Sequence, residues 1–179
     1  MLSPPSRAGA TDHGETGILV AEEKQEHPAA DMDGTSNLVK LGDVTIRYVH
    51  SDASSRYSLL EWSAPPGTPS PPVHIHHCTD EGFYVMAGSY GFELDGERIV
   101  AAAGSHVLVP KGRAHTFWNA GSEVAVCLMV LAPPGFEAYF RELSAGLANV
   151  RSDDEAIELR HRLSTSYDIE VVGPRIQAP

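Results

Sequence analysis

The sequence predicts an all-β barrel or sandwich with two C-terminal α-helices packed on its outside. Three observations carry that expectation. Short runs rich in β-branched and aromatic residues succeed one another from Leu38 to Ala132. Turns bearing Gly and Pro separate them at intervals of roughly 8 to 12 residues. Beyond Pro133 the apolar residues recur instead every three or four positions, the period of a helix face.

Residues 44–49 and 57–62 read as strands, short and rich in Val, Ile, Tyr, Leu and Trp. A bend containing Pro65, Pro66, Gly67, Pro69, Pro71 and Pro72 leads into a strand that carries His74 and His76. Runs 83–87 and 90–94 follow, and Asp95-Gly96 marks a tight hairpin into 98–100. Gly104 opens the short run 106–109, which stops at Pro110 and Gly112. Runs 115–119 and 124–131 complete the set, the second wholly apolar. This density of Gly and Pro argues against a helix anywhere between Leu38 and Ala132. Phe136, Phe140, Leu143 and Leu147 then form one helical stripe. Ser152 and Glu155 make a capping box for a second helix with Ala156, Leu159 and Leu163 on one side. Residues 167–174 read as an extended closing segment. The expected division is a segment 1–36, a barrel 37–132, and a helical extension with closing segment over 133–179.

Residues 1–36 mix Pro, Gly, Ser and charges without alternation, too little apolar surface to offset the entropy of ordering. They are expected to be mobile or to lie along the barrel or a partner, with His13 and His27 as solvated side chains. The whole chain has 179 residues, enough for one sizeable core. Its 13 Lys+Arg against 24 Asp+Glu leave a net charge of −11 with no basic run, which argues against nucleic acid and anionic membrane as partners. Two cysteines, Cys78 and Cys127, lie far apart and in no C-x-x-C pattern, so they are expected as reduced thiols of a cytoplasmic protein. No apolar run approaches membrane-spanning length, and Ile18-Leu19-Val20 is too short for a signal core.

The chemistry gathers around His74, His76, Glu81 and His115. His74 and His76 are two apart, so on a strand both imidazoles leave one face. Glu81 follows after a short break, and His115 arrives after a later Gly/Pro turn. Neutral imidazole and carboxylate suit Fe, Mn, Ni, Co or Zn, so the expected cofactor is one divalent transition metal. An isolated strand histidine is usually a hydrogen-bonded core residue; four ligand types at these spacings make that reading poor. His77 should face away from His74 and His76, and Glu93 and His106 are weaker candidates for supporting the site. If Glu81 points inward, alternation brings Phe83 and Val85 inward; if His115 does, Phe117 and Asn119 follow. These four are the expected substrate-binding residues. The bland alternative, equally open, is that they simply fill the barrel.

Gly67, His74-Ile75-His76, Glu81 after four residues and Gly88 after six more resemble the first motif of the cupin superfamily. Gly104, Pro110, Gly112, His115 and Asn119 resemble its second. The one departure is a turn longer by a residue between Gly67 and His74. This resemblance implies a double-stranded β-helix (cupin or jelly-roll barrel), a metal held by His74, His76, Glu81 and His115, and a homodimer. The run from His74 through Val85, with the Phe136-to-Leu143 helix, is most similar to the small one-domain quercetinase-like members. That similarity implies a dioxygenase acting with dioxygen on an aromatic, flavonoid- or polyketide-like small molecule that reaches the metal through oxygen, with Glu81 accepting the substrate proton. The alternatives are a non-redox cyclase, isomerase or lyase using the metal as a Lewis acid, and a binding module without catalysis.

Overall fold

The computed structural model describes residues 37–176; the expectations placed on 1–36, with His13 and His27, lie outside the described residues. In chain order the elements are β1 (Leu38–Leu41), β2 (Val44–His50), β3 (Ser58–Ala64), β4 (Pro72–His76), β5 (Asp80–Ala87), β6 (Ser89–Leu94), β7 (Glu97–Ala102), β8 (His106–Val109), β9 (His115–Asn119), β10 (Ala125–Ala132), α1 (Ala138–Leu147), α2 (Asp153–Ser166) and β11 (Ile169–Arg175). The strands form two antiparallel sheets, ordered β1-β2-β3-β10-β5-β8 and β11-β4-β9-β6-β7. From β4 to β10 the chain passes back and forth between them, as a double-stranded β-helix requires.

The turns show why these residues fold this way. Asp95 and Gly96 both take positive φ, 48° and 87°, the type I′ geometry that matches the twist of a two-residue hairpin between β6 and β7. The Asp95 carboxylate accepts a hydrogen bond from the Ala114 amide at 3.0 Å and pairs with Arg113, tying this hairpin to the turn before β9. Gly88, at φ 69°, turns β5 into β6 with the Ala125 backbone only 3.0 Å from where a Cβ would stand, so a side chain there would be both strained and crowded.

Alternation along β3 and β10 sends Leu60, Trp62, Cys127, Met129 and Leu131 into the barrel. Phe83 meets Phe92 and Phe117 at ring separations of 5.1 and 5.0 Å, forming the aromatic centre of the core. The opposite face of the first sheet leaves Tyr84, Leu108 and Val130 exposed.

At the C-terminal end Phe136 and Phe140 join the barrel core, Phe140 packing edge-on against Trp62 at 5.5 Å. Phe136 sits in the turn before α1 rather than on it. The Ser152 hydroxyl accepts from the Glu155 amide at 3.2 Å, as a capping box demands, but the Glu155 carboxylate takes the amide of Arg151 at 2.7 Å, one residue before the cap. Leu159 and Leu163 bury against Leu143, joining α2 to α1. Asp168 then takes φ 55°, and β11 turns back to pair with β4. Among the described residues no helix is long and apolar enough to cross a membrane, and both cysteines are free thiols.

Candidate metal centre

Four side chains from three strands meet inside the barrel. His74 and His76 leave the same face of β4, His74 sits across the ladder from His115 on β9, and Glu81 lies on β5 of the facing sheet. Each offers one donor atom, and these atoms all lie within 4.8 Å of one another. All four residues are buried.

The backbone decides which nitrogen each imidazole presents. Nδ1 of His74 meets the Pro72 carbonyl at 2.8 Å, Nδ1 of His76 the Asp168 carbonyl at 3.2 Å, and Nδ1 of His115 the Arg113 carbonyl at 3.0 Å. A carbonyl only accepts, so every Nδ1 carries the proton and every Nε2 is turned to the centre. Carbonyl-anchored imidazoles of this kind are the usual support of metal ligands. His115 Nε2 lies 2.9 Å from Glu81 Oε2, whereas His76 Nε2 is buried without a hydrogen-bond partner among the described residues, Glu81 Oε1 standing 3.6 Å away. A buried nitrogen left without a partner costs about 1–3 kcal/mol, and a cation at the centre would relieve it. The donor set and this orphaned atom fit a divalent transition metal, which the cluster could hold through His74, His76, Glu81 and His115.

Electrostatics follow from the same contacts. Burial, reinforced by the neighbouring His115, pushes the His74 imidazole down to about 4, and burial lowers His76 as well. Burial opposes charge on His115 too, yet its hydrogen bond and attraction to Glu81 outweigh that and raise it. For Glu81 burial is likewise the strongest single influence and pushes upward, but the hydrogen bond from His115 and the surrounding imidazoles hold it down at about 2. In the metal-free protein the shared proton therefore belongs to His115.

These shifts set an acid response. His74 and His76 are lowered below the ordinary 6.5, so the unfolded chain binds protons that the folded one refuses. Stability is fully present above about 6.5 and is lost as pH falls toward about 4, by on the order of 3 kcal/mol from His74 alone. The Glu81 contribution persists until pH falls through the ordinary carboxylate value of 4.5 toward about 2. Raised His115 contributes stability that is present below 6.5 and lost as pH rises above it, so it opposes the decline only at the upper end of this range. Urea titrations of metal-free protein from pH 7 to 4.5 should show the decline; constant stability over that range would contradict the buried, neutral state of these two imidazoles.

A cavity of about 470 Å³ opens onto the cluster, with His74 and Glu81 in its wall. Trp62, Phe117 and Met129 of the barrel and Phe136, Tyr139 and Phe140 from the C-terminal extension are among its apolar lining. Phe136 packs directly on His76, rings 4.4 Å apart.

Comparison with known proteins agrees with this geometry. The cupin domain family matches residues 60–131, the span from β3 to β10 that carries all four donors. The barrel is a cupin domain. A segment of 46 residues, 26% of the chain, is 37% identical to quercetin 2,3-dioxygenase of Bacillus subtilis (strain 168) and spans 14% of that enzyme. The solved structure of KdgF from a Halomonas species superposes with a TM-score of 0.51 at 16% identity, over 60% of this chain and 96% of its own. A sugar phosphate isomerase of the cupin superfamily from Silicibacter pomeroyi DSS-3 gives 0.46 at 22% identity, over 50% and 59%.

Within the cupin barrel the sequence-nominated residues separate by environment. Phe117 borders the cavity, whereas Phe83 and Val85 are fully buried in the core and do not line it. Asn119 is absorbed by the backbone, donating to the Ala64 and Glu123 carbonyls at 2.9 and 2.7 Å and accepting from Gly121. His77 is exposed and pairs with Glu170 at 2.8 Å; Glu93 pairs with Arg98 at 2.8 Å, and His106 is exposed on β8. Sequence reasoning missed Asp168, whose carbonyl orients His76 and whose carboxylate accepts the Cys78 amide at 2.6 Å. Its position just after a helix, where a short polar residue tolerates the left-handed conformation, was the available signal. It also missed the contribution of Tyr139, Arg160 and Arg175 to the cavity wall.

Proposed function

We propose that this cupin is a metal-dependent oxidoreductase, a dioxygenase acting on an aromatic, flavonoid- or polyketide-like molecule. The observation that carries the reading is the apolar, aromatic cavity that runs directly to His74 and Glu81 of the donor cluster. Sequence similarity to a quercetin dioxygenase over a 46-residue segment supports it. When bound, the metal supplies a Lewis acid for the substrate oxygens and, as Fe, Mn, Ni or Co, redox chemistry toward dioxygen. The protein's own part is positional. Trp62, Phe117, Phe136 and Phe140 would sandwich flat rings and exclude water, while the carbonyl-anchored imidazoles keep the centre in one arrangement. Glu81 is the carboxylate on the cavity wall within reach of a substrate hydroxyl at the cluster, and it would accept that hydroxyl's proton at a carboxylate oxygen.

The test is oxygen uptake by metal-loaded protein offered quercetin. Consumption of dioxygen with loss of the flavonol is the expected result, and turnover that proceeds equally under argon would contradict it. Glu81→Gln should lower kcat by about 100-fold or more, the scale of general base catalysis. Full turnover by that variant with metal still bound would remove Glu81 from the proton transfer.

A cytoplasmic location is proposed on its two free thiols. A homodimer is proposed as well, with the exposed apolar face bearing Tyr84, Leu108 and Val130 as its contact. Light scattering should give twice the chain mass, reverting to one chain in Leu108→Asp; a monomeric parent protein would contradict the assignment.

A further inference from the structure

The cavity that reaches the histidines also carries two guanidinium groups. Arg160 of α2 and Arg175 of β11 both line it, beside the Tyr139 ring. No carboxylate of the described residues forms an ion pair with either. The acidic residues of the wall are Glu81, already engaged by His115, and Asp43 in the turn between β1 and β2. Arg175 is fixed in place, one Nη donating to the Ser70 carbonyl at 2.6 Å, while the Ser70 hydroxyl bonds the Ile176 backbone on both sides. Among the described residues Arg160 bonds only the Ala156 carbonyl of its own helix, at 3.1 Å, leaving most of its donors for other partners. Burial, followed by the like charge of Arg160, lowers the Arg175 guanidinium. Two cations brought together on the wall of an apolar chamber oppose each other until an anion lies between them.

Register gives the spacing. Val171 pairs with His74 and Arg175 with Pro72 across the β11–β4 ladder, with a register shift between the two pairs, so Arg175 stands opposite a residue only two positions along β4 from His74. That is roughly 7 Å of extended chain, the scale of a molecule of two fused rings.

Resting on the dioxygenase reading for the far end of the molecule, we infer that Arg160 and Arg175 bind an anionic oxygen group, a carboxylate in its commonest form, on a substrate whose other end meets the histidine cluster. The substrate class is thereby narrowed to aromatic or polyketide-like acids. The planar guanidinium fork matches a carboxylate with two parallel hydrogen bonds, and a sulfonate would use the same donors.

Fluorescence titration of the full chain with 6-hydroxy-2-naphthoate, 6-hydroxynaphthalene-2-sulfonate and neutral 6-hydroxy-2-naphthamide tests this without any turnover. The acid should bind at least tenfold more tightly than the amide, and the acid-to-sulfonate ratio shows which anion the site prefers. Arg160→Gln, which breaks only a contact within its own helix, should remove most of the preference, chiefly by weakening the acid. Arg160→Lys should keep part of it, and Arg175→Gln should act like Arg160→Gln. Equal binding of the acids and the amide by the parent protein, or a preference that survives Arg160→Gln and Arg175→Gln together, would overturn the inference. A protein that prefers the acid yet consumes no dioxygen keeps this site and loses the dioxygenase reading; the converse result does the opposite.

Discussion

His115→Ala and His76→Ala are each expected to lower metal affinity by about 100-fold or more, with the fold retained in the presence of salt at neutral pH. The expectation comes from how each nitrogen is held. His76 Nε2 is buried, has no hydrogen-bond partner and faces the centre, so it has nothing to lose and one bond to gain when an ion arrives. His115 is different, since its Nε2 already holds Glu81 at 2.9 Å and must release a proton on binding. Removing it takes away a ligand and also the partner that keeps a buried carboxylate satisfied, so the metal-free His115→Ala protein should be the less stable of the two by about 1–3 kcal/mol. Changing only the carbonyl-anchored orientation costs roughly 10–100-fold in comparable sites, which sets a floor for losing the ligand itself. Equilibrium dialysis against zinc or cobalt reads the affinity directly. Unchanged binding in His76→Ala would mean that the orphaned nitrogen serves something other than an ion.

Phe83→Ala should cost about 3–5 kcal/mol of stability, the range for emptying a buried aromatic position. Phe83 is wholly inaccessible and touches both Phe92 and Phe117, so no side chain can move in without unpacking a third. Phe136→Ala should be the contrasting case. Phe136 is buried too, but it also lies on the cavity wall against His76, outside the regular helix, so its loss should weaken ligand binding as well as folding. Urea unfolding monitored by tryptophan fluorescence distinguishes the two. If Phe83→Ala unfolded like the parent protein and only its KM changed, Phe83 would belong to the substrate pocket and the core would be centred elsewhere.

The contrast between Phe83 and Phe117 marks where sequence reasoning stops. Alternation from Glu81 and His115 says which side chains enter the barrel, because period two is a property of the strand. It says nothing of depth. Phe83 and Val85 enter and are sealed behind other rings, while Phe117 enters and meets the cavity. The four donors were legible because each sits on a strand whose face is fixed by a neighbour two residues away or by the turn before it. The hairpin at Asp95-Gly96 was legible because so few residue pairs accept two positive φ angles. The cavity's outer wall was not. Arg160 lies on a helix docked by Leu143, Leu159 and Leu163, and Arg175 on a strand paired with the distant β4, long-range choices that no local pattern encodes. Asp168 was hidden for a related reason, since its role is played by a backbone carbonyl, which every residue has.

Elemental analysis of the full chain, purified without added metal and then measured again after loading with iron, manganese, cobalt, nickel or zinc, addresses the central claim most directly. The account predicts one divalent ion per chain, absent from the His76→Ala and His115→Ala proteins. A parent protein that stays metal-free after loading, or that binds the same ion when those two imidazoles are gone, would contradict it.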